Sequence, residues 1–192
     1  MDIQLFAIFD TSGSMNEMGK IHLQRNLCRF ISQLHEVDAE RYAGVKLDCY
    51  GWGSSLSKIT IDESGDVPQL EPTGQLNFNA LSDFLSRLSG EGRIQNVLIF
   101  TDGLFDRDDL AGFTEWKMNN DHPSLRTVAV GADANLLNLK KVSSNESVYL
   151  AENIGIAINN TIWGSDTKVD PPQSISQILL QSNDEAEENW DA

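Results

Sequence analysis

The feature that most constrains the fold is an alternation of short apolar runs with longer stretches of helical periodicity. Two runs, residues 3–9 and 96–101, are almost unbroken in apolar residues, as expected for central parallel strands that are covered on both faces. Four shorter or more alternating runs are also typical of strands: 44–52, 56–61, 125–131 and 147–150. This pattern predicts an α/β protein with a mostly parallel, six-stranded sheet.

The stretches between these runs place apolar residues three and four positions apart. From about residue 21 to residue 35, one apolar stripe contains Leu23, Leu27, Phe30, Ile31 and Leu34. Similar spacing predicts helices over residues 81–88 (ended by Gly90), 110–118, 136–142 and 153–163. Helices that connect parallel strands cover both faces of a sheet, so we expect a doubly wound, Rossmann-like fold with strand order 3-2-1-4-5-6.

Composition excludes several classes of function. The chain has 29 acidic and 14 basic residues and a formal charge of −15, which repels a phosphate backbone, so we expect no nucleic-acid partner. It contains no apolar run of roughly 20 residues and no basic region at its start, so we expect a cytoplasmic protein without a membrane segment. Cys28 and Cys49 fall within patterned apolar segments and are expected to be buried thiols.

The composition changes near the C-terminus. Residues 164–192 contain seven acidic residues against one basic residue, Lys168, and a Pro-Pro pair near their start. Such a segment buries too little apolar area to offset the entropy lost on ordering. We therefore expect a folded domain over residues 1–163 and a disordered acidic tail over residues 164–192.

The strongest local signal is the segment Asp-Thr-Ser-Gly-Ser at residues 10–14, directly after the first buried strand. An isolated Asp-x-Ser-x-Ser segment is typical of a capping or turn loop. Here, however, a second Asp, Asp102, follows the other central strand, and the carboxyl ends of these neighbouring strands flank the point where such sheets bind ligands. Carboxylate and hydroxyl oxygens suit Mg²⁺, Mn²⁺ or Ca²⁺ better than zinc, so the pattern favours a metal site.

Residues 9–15, Phe-Asp-Thr-Ser-Gly-Ser-Met, and residues 99–103, Ile-Phe-Thr-Asp-Gly, resemble the two diagnostic motifs of the von Willebrand factor A (VWA) domain and its metal-ion-dependent adhesion site. The likeness spans about residues 3–163. The order of elements, the small size and the segment 130–142 are also similar to small stand-alone bacterial VWA proteins of tellurium-resistance-type operons.

The resemblance implies a set of metal ligands. Asp10, Ser12 and Ser14 would bind from the first loop, and Asp102 would bind directly or through water. Members of the family usually contribute a threonine from a Gly-Gly-Thr segment, but counting back from Ala-Leu at residues 80–81 leads here to Gln75. Either the Gln75 amide oxygen replaces that hydroxyl, or Thr73 reaches the site from a shifted loop.

The resemblance also implies a function. A divalent cation, Mg²⁺ or else Mn²⁺ or Ca²⁺, would bind an exposed Asp or Glu of a partner protein, so the domain would be a metal-dependent interaction module and not an enzyme. Relatives of this kind suggest a scaffold in a bacterial stress or signalling system, with a kinase, a phosphatase or an AAA-type ATPase as its partner.

The alternative from another class is a Mg²⁺-dependent phosphoryl-transfer enzyme with Asp10 as its nucleophile. Phosphatases of the haloacid dehalogenase type need a second Asp two residues later, where this chain has Ser12. A serine cannot perform that proton transfer at neutral pH. The sequence also lacks a phosphate-binding P-loop and a Gly-x-Ser-x-Gly elbow, so binding is favoured over catalysis.

Three further features are open to two interpretations each. The histidines are far apart and are expected to be surface or structural residues: His22, His35 and His122. The acids after the second motif form either an anionic rim or a helix N-terminus: Asp106, Asp108 and Asp109. Trp52 is either an exposed interface anchor near the metal or a packing residue.

Overall fold

The computed structural model describes residues 3–62, 65–88 and 94–164. Their strands are β1 (Ile3–Asp10), β2 (Val45–Trp52), β3 (Leu56–Lys58), β4 (Ile94–Thr101), β5 (Ser124–Ala129) and β6 (Val148–Leu150). They form one sheet in the order β3-β2-β1-β4-β5-β6. Every neighbouring pair is parallel except β2 and β3, which are antiparallel. The predicted six-stranded, mostly parallel sheet and its strand order are confirmed.

The connections are mainly helical. The α-helices are α1 (Lys20–Ser32), α2 (Leu34–Val37), α3 (Ala39–Tyr42), α4 (Phe78–Leu88), α5 (Arg107–Asn119), α6 (Leu136–Val142) and α7 (Ile154–Trp163). Short 3-10 turns cover Gly13–Gly19, Ser144–Glu146 and Ala151–Asn153. The five predicted helices are confirmed to within three residues at each end, except that the first is divided into α1 and α2; the second and third each begin three residues earlier than predicted, at Phe78 and Arg107. Gly90, the predicted end of the second helix, lies outside the described residues.

Alternate side chains of the central strand serve two different cores. Leu5, Ala7 and Phe9 of β1 lie in one cluster with the apolar faces of α1 and α7. Phe6 and Ile8 lie in a second cluster with α4 and α5 on the other face of the sheet. Helices therefore cover both faces, as predicted, because a parallel strand buried on both faces needs apolar partners above and below it. The parallel pairing of β1 with β4, in which Phe9 lies opposite Phe100, places the carboxyl ends of these two strands side by side.

Several packing predictions are corrected by the structure. Trp52 is completely buried, and its indole N–H donates to the carbonyl of Asn77 at 3.0 Å, so the interface-anchor interpretation is wrong and the packing interpretation is correct. Leu23, Phe30 and Met118 were expected on apolar helix faces but are exposed. The reason is geometric: only the centre of an apolar stripe faces the sheet, and residues at its edges reach solvent.

Other expectations are met or fall outside the described residues. Cys28 and Cys49 are buried free thiols, as predicted. No helix of the described part of the chain is long and apolar enough to cross a bilayer. Apart from Gly164, the predicted acidic tail lies beyond the described residues.

Candidate metal centre

The loop after β1 turns three oxygen-bearing side chains toward one point. The buried carboxylate of Asp10 accepts, at Oδ1, the backbone N–H of Ser12 at 2.8 Å and its hydroxyl at 2.6 Å. The Ser14 hydroxyl lies 3.2 Å from that of Ser12. A 3-10 turn begins at Gly13, directly after Ser12, and includes Ser14.

The end of β4 closes the site from the neighbouring strand. The Thr101 hydroxyl donates to Asp10 Oδ2 at 2.6 Å, so both oxygens of the Asp10 carboxylate accept hydrogen bonds. The next residue, Asp102, is also buried, and its Oδ1 accepts the backbone N–H of Leu104 at 3.0 Å. The two motifs, about 90 residues apart in sequence, are thus placed at one edge of the sheet.

Backbone hydrogen bonds hold the surrounding loops in place. The N–H of Gly13 donates to the carbonyl of Gly74 at 2.9 Å, and the N–H of Thr73 donates to the carbonyl of Thr11 at 2.9 Å. From α1, the buried Gln24 amide donates to the carbonyl of Phe100 at 2.8 Å. The segment around residue 74 therefore lies against the first loop, as the predicted third contribution to a metal site requires.

The two side chains predicted as alternatives for the fifth ligand, Thr73 and Gln75, make no hydrogen bond to the first loop within the described part of the chain. Thr73 binds the first loop through its backbone, and its side chain is exposed. Gln75 is also exposed, and it lines a cavity of about 620 Å³ together with Asn77 and Asp108. Neither side chain makes a hydrogen bond to Asp10, Ser12 or Ser14 among the contacts of the described residues, so the choice between Gln75 and Thr73 stays a prediction.

Burial changes the acidity of Asp10. Removal from water raises the pKa of this carboxyl to about 6, and the nearby charge of Asp102 acts in the same direction. Hydrogen bonds from Ser12 and Thr101 favour the ionised form and limit the rise. A buried carboxylate without a nearby cation of its own is unfavourable, so a cation at this edge would stabilise it.

Lys20, the first residue of α1, also belongs to this site, although the sequence pattern did not predict it. Its side chain is 1% exposed, and its ammonium lies 2.8 Å from Asp102 Oδ2 and 2.9 Å from Asp133 Oδ2. Burial opposes the charged form of Lys20, but the hydrogen bonds and charges of the two carboxylates raise its pKa above the usual value. The same pairing lowers the pKa of Asp133. A lysine at a helix start gives no such signal in sequence, because its partners lie 82 and 113 residues away.

The donors present fit a hard divalent cation. Among the described residues no group of three or more His, Cys, Asp or Glu side chains is placed to hold a metal, so binding would depend on hydroxyl oxygens beside a carboxylate. Neighbouring oxygens around octahedral Mg²⁺ lie about 2.9 Å apart when each bond is about 2.0–2.1 Å. The separation of 3.2 Å between the Ser12 and Ser14 hydroxyls is close to that value, and the all-oxygen set suits Mg²⁺, Mn²⁺ or Ca²⁺.

The acids after the second motif serve the start of α5. Asp106 precedes the helix, and its carboxylate accepts the backbone N–H groups of Asp108 and Asp109 at 2.8 and 3.2 Å. The helix N-terminus interpretation is therefore confirmed for Asp106, because a side-chain acceptor there satisfies amides that have no partner within the helix.

By sequence, the chain matches no family model and no curated relative. By structure, it is similar to the ArnB paralog VWA2 from Sulfolobus acidocaldarius, with a TM-score of 0.60, 16% identity and coverage of 81% of this chain and 43% of that chain. It is similar to a von Willebrand factor type A protein from Catenulispora acidiphila, with a TM-score of 0.52, 13% identity and coverage of 83% and 41%.

A third similar structure is proximal thread matrix protein 1 from the mussel byssus, which was solved with a zinc-occupied metal-ion-dependent adhesion site. Its TM-score is 0.57 and its identity 15%, with coverage of 83% of this chain and 44% of that chain. This chain therefore spans less than half the length of these three proteins. At these identities the likeness concerns the fold alone: the α/β fold of this chain is similar to that of these von Willebrand factor A structures.

Proposed function

We propose that this domain is a non-catalytic, metal-dependent protein-interaction module that binds an acidic side chain of a partner protein through a divalent cation. One observation carries the proposal: the Asp10 carboxylate and the hydroxyls of Ser12 and Ser14 converge at the carboxyl end of the central strand. Because hydroxyls are uncharged ligands, a divalent cation held there keeps positive charge for one more anionic oxygen.

Each side chain of the site has a defined task in this proposal. Asp10, Ser12 and Ser14 would hold the cation, and Gln75 or Thr73 would supply a further oxygen. Asp102 would act through water, because the Lys20 ammonium already neutralises its carboxylate at 2.8 Å, whereas Asp10 has only neutral hydrogen-bond donors among the described residues. Mg²⁺ is the cation we propose, since it is hard and accepts a mixed set of protein and water oxygens.

Exposed apolar side chains support an interface at the same edge. Met18, Leu104 and Leu137 are 74%, 47% and 72% exposed. Met18 follows the first loop, Leu104 lies two residues after Asp102, and Leu137 lies in the first turn of α6. All three positions follow the carboxyl end of a strand, β1, β4 or β5, and exposed apolar side chains beside a polar site favour an interaction surface. We infer that apolar residues of the partner, around its acidic side chain, contact Met18, Leu104 and Leu137. These three residues would provide the apolar contacts that the buried Trp52 cannot make.

The resemblance of the motifs to small stand-alone bacterial VWA proteins extends the proposal. The protein would be a cytoplasmic scaffold in a stress or signalling system, and a kinase, a phosphatase or an AAA-type ATPase would be its partner. The formal charge of −15 is unfavourable for nucleic acid, and it opposes long-range attraction of an acidic partner. Attraction would therefore come from the cation at short range.

Phosphoryl transfer is the second candidate, and two observations oppose it. The Ser12 hydroxyl occupies the position that would need an acid, and it donates its proton to Asp10. Both oxygens of Asp10 accept hydrogen bonds, which lowers their nucleophilicity. Turnover of phosphoester substrates that disappears in Asp10→Ala would replace the binding proposal with this enzyme.

The experiment joins a metal titration to a capture assay. Calorimetric titration with Mg²⁺ and with Mn²⁺ should detect one site in the wild type and none in Asp10→Ala. Asp108→Ala is the matched control, because it removes one exposed carboxylate near the same edge and should leave metal binding unchanged.

Partner capture from a lysate of source cells should require metal, should disappear in EDTA and should weaken in Leu137→Asp without loss of metal binding. Equal metal binding by Asp10→Ala would refute the proposal.

A further inference from the structure

A buried positive charge lies at the edge proposed to bind a divalent cation. The Lys20 ammonium contacts Asp102 and Asp133 at 2.8 and 2.9 Å, and the side chains of Lys20 and Asp102 are each 1% exposed. A cation so close to a proposed site opposes the binding of a second cation, since the interaction of like charges strengthens as water is excluded. The position of Lys20 therefore bears directly on metal affinity.

The fold makes specific room for this lysine. Gly131, the second residue of the loop that follows β5, has φ +93°, a conformation that favours glycine. A Cβ on Gly131 would lie 2.7 Å from Lys20 Cδ. The same loop is fixed to β4, because Val130 N–H donates to the Thr101 carbonyl at 3.1 Å and Asn135 N–H donates to the Asp102 carbonyl at 2.7 Å. The Lys20 side chain thus extends from the start of α1 along the loop after β5, where a side chain at residue 131 would collide with it.

The ion pair with Lys20 neutralises the charge of one central carboxylate, Asp102, and leaves the charge of the other, Asp10, without a counter-ion among the described residues. Asp102 has its own counter-cation in Lys20, while the hydrogen bonds that Asp10 accepts from the described residues come from neutral groups, Ser12 and Thr101. A divalent cation beside Asp10, Ser12 and Ser14 would meet one uncompensated carboxylate instead of two. It would also meet the repulsion of the ammonium.

We propose that Lys20 is a built-in counter-cation that limits the affinity of the centre for a divalent metal, so that tight metal binding requires the extra negative charge of a partner's carboxylate. The proposal rests on the proposed function for the presence of the metal. Lys20 is a positioning residue: it acts through Asp102 and through its charge, and it does not contact the partner. The isolated domain would hold its metal weakly, and metal and partner would bind cooperatively.

The test measures Mn²⁺ affinity by titration in two variants of the full chain. Lys20→Gln removes the charge but keeps a side-chain donor for Asp102, and its Mn²⁺ dissociation constant should fall by at least about tenfold. Lys20→Arg keeps the charge and is the matched control, with an affinity close to that of the wild type. An unchanged or weaker Mn²⁺ affinity in Lys20→Gln overturns the proposal.

A thermal melt gives an independent readout. In Lys20→Gln the buried Asp102 carboxylate has no cation in metal-free buffer, so this variant should melt at a lower temperature than the wild type and gain more from Mn²⁺. If Lys20→Gln folds only when Mn²⁺ is present, the metal has replaced the ammonium and the proposal is supported. A Lys20→Gln protein that gains no more from Mn²⁺ than the wild type overturns it. If Asp10→Ala abolishes metal binding and Lys20→Gln leaves the metal affinity unchanged, this inference is refuted and the proposed function stands.

Discussion

The buried carboxylate of Asp10 should make the metal-free protein less stable than a variant that cannot ionise there. In Asp10→Asn, the side-chain oxygen still accepts both donors of Ser12, and the amide can donate to the Thr101 hydroxyl. A carboxyl with a pKa of 3.8 in the unfolded chain and about 6 in the folded protein destabilises the fold by about 3 kcal/mol once both states are ionised. Asp10→Asn should therefore raise the free energy of unfolding by about 2–3 kcal/mol at pH 7.5.

The sign of the pH dependence follows from the direction of the shift. Because the pKa of Asp10 is higher in the folded state, the folded protein binds the proton more tightly, and this contribution is complete below pH 3.8 and lost as the pH rises through about 6. The stability difference between Asp10→Asn and the wild type should fall to about half between pH 7.5 and pH 5. Taking the difference between the two proteins removes the titration of all other groups.

The assay is urea unfolding in EDTA, followed by tryptophan fluorescence and circular dichroism, at half-unit steps from pH 5 to pH 8. In a thermal melt at pH 7.5, the variant should gain about 6–10 °C. Added Mg²⁺ should then stabilise the wild type and leave Asp10→Asn unchanged. The reasoning is refuted if Asp10→Asn is no more stable than the wild type at pH 7.5, or if the difference does not depend on pH.

Three further outcomes are expected. If Gln75 supplies the missing ligand, Gln75→Ala should weaken Mn²⁺ binding in a calorimetric titration more than Thr73→Ala, and the reverse order would show that the loop is shifted. The Lys117 ammonium donates to three backbone carbonyls at the end of α6, at 2.6–3.1 Å, so Lys117→Met should lower the free energy of unfolding in urea by about 1–2 kcal/mol. Lys46→Met, at an exposed position, should not change it. A protein ending at Gly164 should melt at the temperature of the full chain, because residues 164–192 contain seven acidic residues and one basic residue and are too polar to add a core of their own. A clear drop in the melting temperature would show that the acidic tail packs on the domain.

The candidate site shows where sequence reasoning was sufficient and where it failed. Asp10 and Asp102 could be brought together from sequence alone, because each follows an unbroken apolar run and neighbouring parallel strands end at one edge. Thr101 was quoted only as part of a motif, and its hydrogen bond to Asp10 depends on the exact register of β1 and β4. Lys20 was missed, because a charged residue at a helix start is usually solvated.

The sequence by itself indicated the alternation of strands and helices and the covering of both faces of the sheet, because apolar periodicity reports which sides of an element are buried. The strand order was predicted from the doubly wound fold class that this alternation indicates. Only the tertiary structure decided the side-chain contacts. It buried Trp52 completely, although its place at the end of β2 was equally suited to an exposed anchor. It also placed the Lys20 side chain against Gly131, where its ammonium contacts the carboxylates of Asp102 and Asp133. Such contacts join residues far apart in the chain, so they are set by the relative positions of whole elements, on which local patterns carry no information.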